Sequence, residues 1–132
     1  MRTPPFRAEH IGSLLRPARL LEDRSREDEC IVEAIRWQES LGLKVVTDGE
    51  FRRESWRLGF VSKVAGFARA DAVGNVDLQR DDAGNVMRVG SAPVAVTRIR
   101  RTGPIVADEV AFSLRNTKCM VKATLPAPSY LH

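Results

Sequence analysis

The clearest pattern along the chain is a set of positions that recur every three or four residues: Ile31, Ala34, Ile35, Gln38 and Leu41. This spacing predicts an amphipathic α-helix. Ser25, with Asp28 three residues later, predicts a capping box at its start. Gly42 follows the last position of the pattern and is typical of the residue that ends a helix. Two shorter helices are predicted, over residues 18–24 and 107–114.

Short runs rich in β-branched residues predict strands around these helices. Residues 43–48 follow the long helix directly, and residues 6–11 and 119–125 are predicted as further strands. Strand, helix and strand joined by short links form βαβ units, whose strands are parallel. Residues 72–101, in which valines flank a turn-rich segment, predict an inserted antiparallel meander. The expected fold is therefore α/β, a partial (β/α)8 barrel with about three parallel strands, in one domain over residues 1–132.

The composition is that of an ordinary soluble domain. The chain has 132 residues, of which 43% are hydrophobic and 29% charged. It has no run of about 18 apolar residues, and its start lacks the apolar core of a signal peptide. Cys30 and Cys119 are too few for a disulfide framework or an all-cysteine zinc site. We therefore expect a cytoplasmic protein in which both cysteines are small buried hydrophobic residues.

The formal net charge of +4 is compatible with nucleic-acid binding, because basic proteins neutralise phosphates. However, arginine makes up 17 of the 21 basic residues and is spread along the whole chain. The densest cluster, at residues 98–101, lies in an apolar–polar alternation typical of an exposed strand face. No zinc-finger, heptad or aromatic RNA-binding pattern accompanies it. We expect neither a nucleic-acid nor a membrane partner.

Candidate chemistry is concentrated in three segments: residues 9–17 (EHIGSLLRP), residues 46–53 (VTDGEFRR) with Trp56, and residues 122–129 (KATLPAPS). In this order they resemble the cobalamin-independent methionine synthase family. The resemblance is closest to its shorter members, which consist of the catalytic C-terminal type of barrel, and this chain matches the amino-terminal portion of that barrel. It implies methionine biosynthesis by transfer of a methyl group from 5-methyltetrahydropteroyltri-L-glutamate to homocysteine. The family uses a zinc ion, which holds the homocysteine sulfur as a thiolate.

The resemblance also implies which residues bind the amino-acid end of homocysteine: Ile11, Gly12, Ser13 and Glu50. Their residue types agree with this role. A glycine lets the backbone approach a ligand closely, and amide groups near a helix start suit a carboxylate. A glutamate at the carboxyl end of a strand is placed to pair with an ammonium group. The substrate expected at this position is a small amino-acid thiol.

Structural alternatives stay open for these residues. Gly12 and Ser13 would also serve as a helix cap, and Glu50 would also form a structural ion pair with Arg16, Arg52 or Arg53. Four further residues are weaker candidates for substrate contact: His10, Asp48, Trp56 and Ser129. A hydrogen-bonded histidine, a turn-capping aspartate and a core tryptophan are the structural alternatives for the first three. No catalytic residue and no metal ligand is assigned to this chain.

The chain departs from the family at the metal site. The resemblance places the zinc ligands, which are His, Cys, Glu and Cys, on later barrel strands, and this chain has no His-x-Cys pair. We therefore expect zinc in the complete family enzyme, no zinc on this chain alone and no turnover by it. An incomplete barrel leaves an open strand edge. The expected partner is a second copy or the missing carboxyl-terminal part of the barrel.

Two other functions remain open at this point. One is a related thiol alkyl-transferase with a different acceptor, such as coenzyme M. The other is a non-catalytic oligomeric binding module, in which a second copy covers the open strand edges.

Overall fold

The computed structural model describes residues 10–55, 58–69, 77–80, 84–89 and 93–128. In chain order the elements are α1 (Ala18–Glu22), a 3-10 turn (Arg24–Arg26), α2 (Glu27–Ser40), β1 (Val45–Val46), α3 (Leu58–Val61), β2 (Val64–Arg69), β3 (Asp77–Arg80), β4 (Val86–Val89), β5 (Pro93–Arg101), α4 (Ala107–Arg115) and β6 (Met120–Val121). This is a mixed α/β structure with parallel strands and helices, as predicted. None of the described helices is long and apolar enough to cross a membrane.

The chain divides into two compact units. The first comprises Met1–Trp56 with Val106–Leu125, and the second comprises Arg57–Ile105 with Pro126–His132. The grouping of residues 1–132 into one domain stays a prediction.

The long predicted helix is present as α2. Its apolar face buries Cys30, Ile31 and Ile35, and Gln38 shares that face. Gly42 takes a positive φ of 81°, which only glycine adopts without strain, so the helix ends where the sequence predicts.

The predicted capping box at Ser25 is wrong. The backbone N–H of Ser25 donates to the carboxylate of Asp23 at 2.9 Å, so Asp23 caps the 3-10 turn and Ser25 lies inside it. The residue before α2 is therefore Arg26, whose side chain makes no cap hydrogen bond. The helix therefore begins at Glu27, two residues after Ser25.

The first unit contains two parallel strands, β1 and β6. Val45 is paired with Met120 and Val46 with Val121. Backbone hydrogen bonds continue the pairing on both sides, from Met120 N–H to the Lys44 carbonyl and from Lys122 N–H to the Val46 carbonyl. Both strands are shorter than predicted. Most of the third predicted strand, residues 6–9, lies outside the described residues, and His10 and Ile11 are not in a strand.

The core of the first unit lies between this sheet and the helices. Six buried side chains form it: Leu20, Cys30, Ile31, Ile35, Val46 and Phe51. Phe112 from α4 and Cys119 pack against this cluster. Cys30 is thus a buried hydrophobic residue, as predicted, and Cys119 is a partly buried one. The core fixes α2, β1 and β6 relative to one another, and thereby the loops that follow the two strands.

The second unit is built from two antiparallel pairs. β3 and β4 form a hairpin, as predicted within residues 72–101. β5 pairs with β2, which precedes the predicted meander and was not expected as a strand. The pairing is irregular between Ala65 and Phe67, where Gly66 has a φ of 103°. This glycine interrupts the alternation of side chains by which a strand is identified in a sequence.

Candidate functional site

The three segments that carry candidate chemistry come together in the first unit. The Thr47 hydroxyl donates to the Gly12 carbonyl at 2.7 Å, and the Leu14 N–H donates to the Gly49 carbonyl at 3.1 Å. The Thr124 hydroxyl donates to Glu50 Oε1 at 2.6 Å. The loops after β1 and β6 leave the carboxyl ends of parallel strands, which is where α/β sheets bind ligands. These contacts define a candidate site.

Gly12 lies directly against the Glu50 carboxylate. A Cβ at position 12 would be 3.2 Å from Glu50 Oε1 and would overlap the methyl group of Thr124. Only a residue without a side chain therefore fits between the two loops. The backbone amides of Gly12 and Ser13 make no hydrogen bond within the described residues.

The backbone of Glu50 is held in a conformation that is unfavourable for glutamate. Its φ is 59°, in the left-handed region. Its N–H donates to Asp48 Oδ1 at 2.9 Å, and its carbonyl accepts from the Arg16 guanidinium at 2.9 Å. The same guanidinium donates to the Arg53 carbonyl at 2.5 Å. Strained residues that neighbours hold in place in this way cluster at functional sites.

The Glu50 side chain belongs to a buried charged network with Arg53. Glu50 is 5% exposed and Arg53 6%. The Arg53 guanidinium makes two hydrogen bonds to Glu109 Oε2, at 2.7 and 2.9 Å, and one to the Thr124 hydroxyl at 2.9 Å. Its distance to Glu50 Oε1 is 3.6 Å. Of the structural alternatives for Glu50, the ion pair with Arg53 is therefore present in a loose form.

The other two arginines proposed as partners of Glu50 bind elsewhere. Arg16 donates to backbone carbonyls, as described above. Arg52 forms ion pairs with Asp28 and Glu27 on α2. Neither neutralises the Glu50 carboxylate.

His10 makes a side-chain hydrogen bond of the kind that its structural alternative predicts. Its Nε2 lies 2.8 Å from Gln38 Oε1. The Gln38 amide is fixed by three backbone contacts, since Nε2 donates to the Ala34 and Thr47 carbonyls while Oε1 accepts the Thr47 N–H. Its oxygen thus faces His10, which places the proton on His10 Nε2. His10 Nδ1 is buried and has no hydrogen-bond partner among the described residues.

Asp48 is 8% exposed and uses its two oxygens differently. Oδ1 caps the Glu50 N–H, as expected of an aspartate that stabilises a turn. Oδ2 has no hydrogen-bond partner among the described residues, and Asp48 lines a cavity with room for about one water molecule. The cavity is also lined by Glu109, Ser113 and Lys122. The Lys122 ammonium group donates to the His10 carbonyl at 2.8 Å.

The described residues do not fit a zinc ion. They contain no group of three or more His, Cys, Asp or Glu side chains arranged to hold a metal. Cys30 is enclosed in the core, and the Cys119 sulfur lies 3.7 Å from the Leu43 carbonyl. His10 Nε2 is already bound to Gln38.

The remaining sequence candidates are placed as follows. Ile11 and Ser13 are exposed, with 86% of Ile11 accessible. Trp56 and Ser129 lie outside the described residues. Sequence reasoning missed two polar residues that reach this network from other elements: Thr124, which binds Glu50, and Glu109, which binds Arg53. A buried arginine is unusual, but nothing in the sequence marks Arg53 as buried.

Two proteins from Bacillus subtilis (strain 168) are similar to this chain. They are called the uncharacterized proteins YxjH and YxjG, and they are 38% and 40% identical to it over 49% and 48% of this chain. The matches cover 21% and 20% of those proteins, so the chain spans about a fifth of their length. No family model matches the chain.

The fold is similar to that of solved methionine synthase structures. One is a B12-independent methionine synthase from Shewanella sp. W3-18-1 in complex with selenomethionine, with a TM-score of 0.64 and 17% identity over 92% of this chain. Another is a candidate vitamin-B12-independent methionine synthase from Listeria monocytogenes, with a TM-score of 0.67 and 24% identity over 100% of this chain. The chain covers 38% and 39% of these structures. It therefore has the fold of a part of the methionine synthase structures.

Proposed function

We propose that this chain forms the first part of a methionine-synthase-like (β/α)8 barrel and binds the amino-acid end of a thiol substrate, homocysteine. The observation that carries the proposal is the close approach of Gly12 to the buried carboxylate of Glu50, where a Cβ at position 12 would lie 3.2 Å from Oε1. The Glu50 carboxylate is an acceptor there, and the backbone amides of Gly12 and Ser13 make no hydrogen bond within the described residues. This is the arrangement that an α-amino acid requires, with one acceptor for its ammonium group and donors for its carboxylate.

Glu50 has an oxygen available for the ammonium group. Oε1 accepts from Thr124, while no hydrogen bond within the described residues reaches Oε2. The strained backbone of Glu50 supports the same role, because Arg16 and Asp48 hold its backbone and Thr124 holds its carboxylate before a ligand arrives.

The complete reaction in this proposal is zinc-dependent methyl transfer to the homocysteine sulfur, in methionine biosynthesis. Zinc supplies a thiolate nucleophile in such enzymes. Because the described residues do not fit the metal, this chain binds only the amino-acid end of the substrate in this scheme. Zinc ligands and the site for the methyl donor would come from further polypeptide.

Calorimetric titration of the 132-residue chain with L-homocysteine tests this function. We expect saturable binding, which Glu50→Gln weakens by about tenfold or more because a charge-assisted hydrogen bond to the ammonium group is lost. Glu54→Gln is the matched control, since Glu54 is exposed and the substitution removes the same charge. Absence of binding, or equal affinity of the wild type and Glu50→Gln, contradicts the proposal.

The same titrations separate the alternatives. Coenzyme M has a thiol and a sulfonate but no ammonium group, so tighter binding of coenzyme M than of homocysteine would favour the related alkyl-transferase. Light scattering measures the oligomeric state and so tests the alternative of a non-catalytic oligomeric binding module. A stable oligomer that binds neither thiol would favour that function.

A further inference from the structure

Arg53 is shared by two carboxylates, and the sharing is unequal. Two of its nitrogens bind Glu109 Oε2, at 2.7 and 2.9 Å, whereas its distance to Glu50 Oε1 is 3.6 Å. A third hydrogen bond goes to the Thr124 hydroxyl. The Arg53 guanidinium therefore donates its hydrogen bonds to Glu109 on α4 and to Thr124 in the loop after β6. Glu50 lies near the positive charge but outside hydrogen-bond distance of it.

This arrangement leaves Glu50 incompletely neutralised. Arg53 supplies one positive charge to two carboxylates, and all three groups are largely buried, with side-chain exposures of 6% for Arg53, 7% for Glu50 and 15% for Glu109. Burial strengthens the attraction between charges, so a carboxylate without its own counter-ion favours a cationic ligand.

We propose that Glu109 is a positioning residue that keeps Glu50 available to the ammonium group of the ligand by saturating Arg53. The inference rests on the proposed function, since it concerns the same ammonium group. It assigns to α4 a role in ligand selection, although no residue of α4 was a candidate for substrate contact. Before a ligand binds, the Thr124 hydroxyl holds Glu50 Oε1 through a hydrogen bond. Because the hydroxyl is neutral, the Glu50 carboxylate keeps its charge.

Loss of the Glu109 charge changes the partner of Arg53. In Glu109→Gln, Glu50 becomes the nearest carboxylate to a buried guanidinium that has lost its ionic partner. A short movement closes the 3.6 Å gap to a charge-assisted hydrogen bond. The internal ion pair then competes with the ligand's ammonium group. Binding of the carboxylate and thiol of the ligand is unaffected by this competition.

The test compares L-homocysteine with 4-mercaptobutanoate, which retains the thiol and carboxylate but lacks the ammonium group. The dissociation constant of 4-mercaptobutanoate divided by that of L-homocysteine measures the preference for an ammonium group. We expect Glu109→Gln to reduce this ratio by about tenfold, within the usual range of coupling between neighbouring groups. Asp108→Asn is the matched control, because Asp108 is exposed, adjacent on the same helix and carries the same charge. It should leave the ratio unchanged.

A second variant distinguishes positioning from structural support. Arg53→Gln combined with Glu109→Gln removes the guanidinium as well, so nothing competes for Glu50. We expect the ratio to return to near its wild-type value, even though two buried contacts have been lost. A double variant that is folded, by circular dichroism, and no better than Glu109→Gln overturns the inference. If Glu109→Gln alone does not fold, a folded double variant whose preference for the ammonium group is about tenfold below that of the wild type overturns the inference.

The outcomes separate the two proposals. If the wild type binds homocysteine no better than 4-mercaptobutanoate, the role of Glu50 fails and this inference fails with it. If the wild type prefers homocysteine and Glu109→Gln keeps that preference, the proposed function stands and the inference alone is overturned.

Discussion

Single residues at the candidate site are held by contacts from several directions. Glu50 combines a left-handed backbone with a buried carboxylate, each of which costs free energy on its own. Asp48, Arg16 and Thr124 offset these costs through hydrogen bonds to the N–H, the carbonyl and the carboxylate. Such a residue is fixed before a ligand binds, which reduces the entropy lost on binding.

Gly12→Ala tests how closely this site is packed. The added methyl group overlaps the Thr124 methyl and lies 3.2 Å from Glu50 Oε1. Overpacking of this kind typically costs about 1–3 kcal/mol, and we expect a loss of that size in the free energy of unfolding in urea. Homocysteine affinity should fall as well, because Thr124 positions Glu50.

Gly103→Ala is the control for this substitution. A Cβ at position 103 meets no atom within 4 Å, and no positive φ makes alanine unfavourable there. We expect unchanged affinity from this variant. Equal stability and affinity of Gly12→Ala and the wild type would show that the two loops can separate without cost.

The elements of the first unit are linked by polar contacts as well as by the core. Glu39 on α2 accepts from the Thr117 hydroxyl, just before β6, at 2.5 Å. It also accepts from Arg36 at 2.8 Å. The hydrogen bond from Thr117, and after it the one from Arg36, lower the pKa of Glu39. Since the folded chain favours the ionised carboxylate, this contact stabilises the fold above the ordinary pKa of 4.5.

Glu39→Gln should therefore destabilise the chain in a pH-dependent way. At pH 7 the wild type gains stability from the ionised Glu39, and the variant does not. As the pH falls below 4.5 and through the lowered pKa, the wild type loses this gain and the difference between the two narrows. Urea unfolding at several pH values measures it. Arg36→Gln removes only the lesser cause of the lowered pKa and should destabilise the chain less than Glu39→Gln does. If the difference in unfolding free energy between the wild type and Glu39→Gln grows at low pH, the role assigned to Glu39 is contradicted.

How well each element could be predicted depends on how local its contacts are. α2 followed from its spacing because a helix forms its hydrogen bonds within the segment. β2 was missed because its partner, β5, is distant in sequence and Gly66 breaks its alternation. The capping box at Ser25 failed because a competing local contact, with Asp23, was available.

The candidate site follows the same rule. Gly12 and Glu50 were identified from the resemblance, and the structure places them in contact, while their roles stay proposals. Glu109 gave no signal, because its link to Arg53 joins residues 56 positions apart and exists only in the folded chain. Contacts of this kind require the packing of α4 beside the sheet, which no local pattern specifies.

The molecule as a whole consists of two compact units, and all the residues assigned to ligand binding lie in the first. Ligand affinity should therefore depend on the core of that unit and not on the strand pairs of the second. Ile35 is completely buried in the first core. Gly66 belongs to β2 of the second, where a Cβ would lie 2.9 Å from the Arg98 carbonyl at an unfavourable φ.

One destabilising substitution in each unit tests whether ligand binding depends on the first unit alone. Ile35→Ala leaves a cavity in the first core, with a typical cost of about 2–5 kcal/mol, and should weaken homocysteine binding strongly. Gly66→Ala should lower the hydrogen-exchange protection of β2 and β5 amides and leave the affinity near that of the wild type, because local stability differs between cooperative units. Calorimetry and hydrogen exchange on the same samples measure both quantities. A large loss of affinity in Gly66→Ala would show that the second unit contributes to the ligand site, and the assignment of binding to the first unit alone would then be wrong.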